Sequence, residues 1–238
     1  KPAFVYKVLE RGSVRPHPMH SFLGYSHLVP EQSQGNRVLK MMVMQRDVLD
    51  SFSLANLPVK KRNQVCRSLE RCQVRLIENP EIFIERIREI SIVQSLRQDR
   101  GAGAETPVQR YTEDADAWRG QMKRHFALRG REWWGAFCED VLVAFIRTYQ
   151  VGDIRVIQQA KVDSEYFKHY PMDALYFSIL NSAAGDASCR MIVNGAPLHE
   201  SVNHYKEQFL FRSFDHPCYS SNAWLVAIGK RLLRTGER

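Results

Sequence analysis

The chain has 238 residues, 44% hydrophobic and 25% charged. That balance suits a globular protein with a core of its own and excludes a disordered or fibrous chain. No apolar run approaches the ~18 residues of a membrane span, and Lys1 to Tyr6 form no secretory leader. The net charge of +8 is uneven: residues 1–110 carry 18 basic and 11 acidic side chains, residues 111–238 carry 16 and 15. Lys1 in place of an initiator methionine raises the expectation that an upstream segment has been cut away. The five cysteines, Cys66, Cys72, Cys138, Cys189 and Cys218, form no C-x-x-C pair. An odd, dispersed set points to free thiols in a cytoplasmic or other reducing compartment and argues against a zinc ribbon.

In chain order, AFVYKVLERG alternates as a strand and ends at Gly12. RPHPMHSFLGYSHLVPEQSQGN, rich in Pro, Gly, Ser and His, reads as a long irregular loop. RVLKMMVMQRDVLDSF begins as a strand and turns helical. KRNQVCRSLERCQVRLIEN fits a helix with Val65, Leu69, Cys72 and Leu76 on one face. Asn79-Pro80-Glu81 supplies a cap, a proline and an acidic first turn for a helix to about Leu96. RQDRGAGAETPVQR has no apolar periodicity and marks a boundary near residue 110.

Beyond it, Thr112-Glu113-Asp114 opens a helix that ends in basic residues before Gly130, in the order that suits the helix dipole. EWWGAFCEDVLVAFIRTYQ reads as a second helix. DIRVIQQAKV, DALYFSIL, CRMIVNG and YKEQFLFRSF read as strands, the middle two as a hairpin across NSAAGDAS. A last helix from Ser220 or Ser221 buries Trp224, Leu225, Ile228 and Leu232. The expectation is an α+β protein: a basic, mostly helical part over 1–110 and a small mixed sheet with helices over 111–238, the two able to form one globular unit.

The stretch FRSFDHPCYSSNAWLVAIGKRLL places Cys218 between a strand and that last helix. A thiolate before a helix N-terminus is favoured by the unpaired N–H groups and the dipole. His169 at a strand entrance could take its proton, and Asn194 could fix the imidazole tautomer. The plain alternative is a loop cysteine beside a proline turn. Cys72 and Cys138 read as buried, inert thiols on apolar helix faces.

On FKHYPMDALYF, CRMIVNG and FDHPCYSSNAWLVAIGKRLL, residues 133–233 resemble the clan of SUMO-specific cysteine proteases and YopJ-type acetyltransferases. The resemblance implies a histidine, amide and cysteine set of His169, Asn194 and Cys218. It also implies an acyl-transfer or isopeptide-cleaving reaction on a protein substrate, a bacterial effector acting in a host cell, and an inositol phosphate activator. The chain departs from the clan's pattern at Tyr170-Pro171, Asn194, Arg212 and Tyr219.

A second constellation is basic. Arg67, Arg71 and Arg75 fall at helical spacing, with Lys60 and Lys61 just upstream. They could neutralise phosphates of a nucleic acid or an inositol phosphate, or form a solvated face. A protein-interaction domain without activity is a third possibility. His17, His20 and His27 have metal-ligand types but no nearby cysteine or carboxylate, so no metal is assigned. No Walker loop, G-x-G-x-x-G, H-E-x-x-H or G-x-S-x-G occurs.

Overall fold

The computed structural model describes residues 3–8, 11, 24–99 and 108–221. In chain order its principal elements are β1 (Ala3–Val8), β2 (Tyr25–Leu28), β3 (Arg37–Gln45), α1 (Arg46–Asp50), α2 (Val59–Arg71), β4 (Gln73–Leu76) and α3 (Ile84–Asp99). They continue with α4 (Gln109–Thr112), α5 (Ala115–Phe126), β5 (Arg131–Cys138), β6 (Val141–Val151) and β7 (Ile154–Val162). The last are α6 (Pro171–Ala184), β8 (Met191–Val193), α7 (Glu200–Glu207) and β9 (Arg212–Ser220). The class is α+β, as expected, but helices and strands interleave along the chain instead of separating into a helical first part and a mixed second part.

Two compact units form: Lys1–Met42 with Ser213–Arg238, and Val43–Arg212. In the first, β1 pairs in parallel with β2, and β2 pairs antiparallel with β9, Leu28 opposite Cys218. In the second, the end of β3 pairs antiparallel with β8, β8 pairs in parallel with β7, and β7, β6, β5 and β4 follow antiparallel.

The segment from Glu132 to Gln150 is a hairpin, correcting the helix read from sequence. Its Trp, Phe, Val and Ile content favours a pleated sheet, and Cys138-Glu139-Asp140-Val141 turns the chain with φ of +49° at Glu139 and +64° at Asp140. Two central residues with positive φ belong to the type I′ loop that matches strand twist. Gly135 makes room inside this hairpin: a Cβ there would stand 2.7 Å from Phe137 and 2.9 Å from both Ile77 and Leu142. Alternate side chains of β6 turn to opposite faces of the sheet. Phe145 joins Trp133, Phe137, Leu142, Ile87, Ile90, Tyr111, Trp118 and Met122 in one buried cluster.

DALYFSIL is helical, correcting the expected strand and hairpin. Pro171 sits in the first turn of α6, where its missing N–H is no loss. Ala174, Leu175, Ile179, Leu180 and Ala183 are all fully buried. Over Asp173–Leu180 every residue is buried or half-buried, so this apolar run shows no exposed face and imitates a core strand. The unit β7–α6–β8 is therefore a parallel crossover.

α2 stops at Arg71 and the chain becomes β4, so Leu69 and Leu76 are exposed while Val65 and Cys72 are buried. Cys138 is buried too, at the end of β5, its sulfur 3.0 Å from that of Cys72. The Asn79 cap is present: its side chain accepts from the Glu81 amide. YKEQFLFRSF divides between α7 and β9. The expected last helix lies outside the described residues, apart from Ser220 at the end of β9 and Ser221.

Candidate functional site

The crossover leaves an opening in the sheet of the second unit. β7 and β8 pair only from Ile154 opposite Met191 to Val156 opposite Val193. β8 then ends, whereas β7 runs on to Val162 with β6 along its other edge. The free edge of β7 draws on a side chain for one of its hydrogen bonds: Gln94 Oε1 of α3 accepts from the Val162 amide at 3.2 Å. A cleft of ≈ 620 Å³ fills the space, lined by Ile157 to Lys161 on one side and Asn194-Gly195-Ala196 on the other. Crevices past the carboxyl ends of parallel strands are where open α/β sheets hold ligands.

Its polar groups come from several elements. Tyr176 of α6 accepts from Asn194 Nδ2 at 3.1 Å, and burial pushes its hydroxyl up to about 12, so the phenol stays protonated at neutral pH. Lys206 of α7 donates to the carbonyl oxygen of Asn194 at 2.7 Å and secures the backbone beyond β8. Arg147 of β6 donates through Nη1 to His125 Nδ1 at 3.0 Å. Burial, then the charge of Arg147, lowers His125 to about 4, which keeps it neutral and able to accept.

Of the residues singled out from sequence, Asn194 lies in this cleft. His169 ends a 3-10 turn after β7, outside the cleft lining, and its carbonyl oxygen faces the Cys72 sulfur. Cys218 belongs to the other unit, inside β9, where it is buried and burial pushes its thiol up. That environment holds the proton on sulfur.

Arg67 and Arg71 are exposed on α2, while Arg75 is on β4 with its guanidinium 3.9 Å from the Phe137 ring, so the three do not share one helical stripe. Lys60 is exposed. Lys61 is buried against Asp173 at 3.0 Å, and both lysines line a separate pocket of ≈ 380 Å³ at the start of α6. His27 is buried in β2, and His17 and His20 lie outside the described residues.

The sequence reading missed Tyr176, Arg147, Lys161 and Lys206. One signal was available: Arg147 is the single cation in the largely apolar run VLVAFIRTYQV, while Lys161 shares IRVIQQAKV with Arg155 and two glutamines and carried no such signal.

Among the described residues no helix is long and apolar enough to cross a membrane. No protein-family model and no curated protein sequence matches the chain. Solved structures do. FemX is similar over 76% of this chain and 61% of its own, with a TM-score of 0.55 and 8% identity. A C-terminal domain attributed to a lysylphosphatidylglycerol synthetase of Agrobacterium fabrum is similar over 87% of this chain and 71% of its own, with a TM-score of 0.53 and 10% identity. L-PGS from Bacillus licheniformis gives 84%, 68%, 0.52 and 16%. The chain thus spans less than two thirds of FemX. The element order that carried the cysteine-enzyme resemblance is replaced by this one, because 131–151 are strands and 171–184 a helix. The fold of this chain is the one it shares with FemX, with the Agrobacterium fabrum domain and with L-PGS.

Proposed function

We propose that the chain is an acyltransferase that passes an acyl group directly from an activated donor to an amine or hydroxyl acceptor in the cleft between β7 and β8. The observation that carries this reading is the open edge of β7 over Ile157–Val162, beside the end of β8. An extended donor would lie along that edge as an added strand and bond main-chain groups that β8 does not pair. The acceptor's nucleophile attacks the acyl carbonyl, a C–N or C–O bond forms, and the bond to the leaving group breaks. The proton lost by the nucleophile is balanced by one delivered to the leaving group, for which Tyr176 O–H, oriented by Asn194, is the best placed acid. The shared fold supports the reading, since lysylphosphatidylglycerol synthetase is named for joining a lysyl group, itself an acyl group, to a lipid. No covalent step on Cys218 is required.

The test is a transfer assay over a panel of labelled thioester and ester donors with amine and hydroxyl acceptors. We expect turnover with at least one pair. Tyr176→Phe should cut it by ~10²-fold or more, the usual loss of a general acid. Ala160→Trp, which fills the cleft, should abolish it, and Cys218→Ser should leave it within about twofold, since the thiol lies outside this chemistry. Full loss on Cys218→Ser in a folded variant would replace this reading with the cysteine mechanism.

A further inference from the structure

Three buried cations line this cleft with no carboxylate partner among the described residues: Arg147 and Lys161, each 7% exposed, and Lys206, 5% exposed. Among the described residues the two other buried Lys and Arg side chains have carboxylates beside them. Lys61 meets Asp173 at 3.0 Å, and Arg155 lies between Glu132 at 3.9 Å and Asp186 at 3.8 Å. In the cleft the partners are neutral. Arg147 donates to His125 and has its guanidinium 5.3 Å from the Trp133 ring centroid, while its Nε is buried without an acceptor. Lys161 Nζ donates to Tyr111 Oη at 3.1 Å. Lys206 Nζ donates to the carbonyl oxygens of Asn194 and Ala196. Arg97 adds an exposed cation to the lining, and no Asp or Glu contributes to it.

Charges removed from water without an opposite charge are costly unless something else compensates them. Burial already acts against two of these cations, lowering Lys206 and bringing Arg147 to about 10. Three positive groups call for more than one negative charge: a lone carboxylate would leave two of them uncompensated. The helix N-terminus that follows β7 offers no substitute anion site, because Pro171 lacks an N–H and Asp173 already places a carboxylate in the first turn of α6. A cleft of ≈ 620 Å³ is large enough for a ligand of nucleotide size.

We infer that the cleft recognises its ligand through a phosphate group carrying at least two negative charges, held by Arg147, Lys161 and Lys206. The phosphate then belongs to the donor or to the acceptor of the proposed transfer, and in that respect the inference rests on that reading.

The probe is inorganic pyrophosphate, titrated calorimetrically into the whole chain at low salt. Binding should occur, raise the melting temperature and weaken steeply as salt is added. Arg147→Gln and Lys161→Gln should each weaken it at least about tenfold, while Lys123→Gln on the surface of α5 should not, since rim and surface charges contribute little. Should the Arg147 variant not fold, the parent and the Lys161 variant decide the matter. A parent that ignores pyrophosphate overturns the inference, as does a parent whose binding survives both substitutions unchanged. Two further arms separate the sources. Tighter binding of coenzyme A than of ADP places the phosphate on a donor with a thiol arm; equal or weaker binding places it on the acceptor; both support the inference. Pyrophosphate binding without any acyl transfer would overturn the proposed function and leave the phosphate site standing. Transfer without pyrophosphate binding would do the reverse.

Discussion

Arg147 and His125 carry much of the chemistry at the scale of single residues. The guanidinium donates to the imidazole, so the histidine must be neutral to accept, and its folded value of about 4 lies below the ordinary 6.5. As pH falls the unfolded chain therefore binds the proton first. The contribution to stability is complete above about 6.5 and is lost as pH falls towards 4. We expect the melting temperature of the parent to slope downward through that window and His125→Gln to flatten the slope. An unchanged slope in the variant would show that His125 is not the group responsible. None of this was legible in the sequence while 132–150 read as a helix, since in that reading Arg147 stands near a solvated helix end. As a strand residue beside buried neighbours it is turned into the protein. Cys218 shows the converse: its place before a helix pointed to a thiolate, and its observed place inside a paired strand favours the thiol.

Elements were legible where two signals agreed. The β3–α1 junction, the Asn79 cap and β7 combine a periodic pattern with a matching boundary residue, and each appears as expected. The hairpin β5–β6 had strand-forming residues but the turn Glu139-Asp140 in place of Asn-Gly, so its strongest local marker was missing. The DALYFSIL stretch of α6 had no exposed face to give a helical period. The hairpin's packing yields a prediction of its own. Gly135→Ala would press a methyl group against Phe137, Ile77 and Leu142, all within 2.9 Å of it. Overpacking of this kind costs roughly 1–3 kcal/mol. Chemical denaturation should show that loss, and an unchanged midpoint would mean that the sheet and the helices above it yield more easily than the packing implies.

Over the whole molecule, exchanging one strand for a helix and one helix for two strands changed the kind of enzyme the chain could be. With DALYFSIL as a strand, the second half ran as hairpin, strand, Cys218 and a closing helix. With it as α6, β7 and β8 become parallel neighbours that separate after three residue pairs, and a cleft opens where the reading from sequence had a closed hairpin. Asn194 was singled out as an amide that could fix the tautomer of His169, but its partners are Tyr176 and Lys206 instead of a histidine and a cysteine. The basic excess of residues 1–110 was legible as a number, but the buried cations of the cleft come from residues 147, 161 and 206.

In the proposed transfer the acyl donor lies along the edge of β7 that β8 leaves unpaired. Amide hydrogen exchange over Ile157–Val162, with and without the donor selected by the transfer assay, tests it most directly. Amides of an unpartnered edge exchange through small local openings, and a ligand that takes their hydrogen bonds should slow them. Added protection is expected in this segment and in Asn194–Ala196 across the cleft. Protection confined to the smaller pocket around Lys61 and Tyr205, or no protection at all with a donor that is turned over, would contradict it.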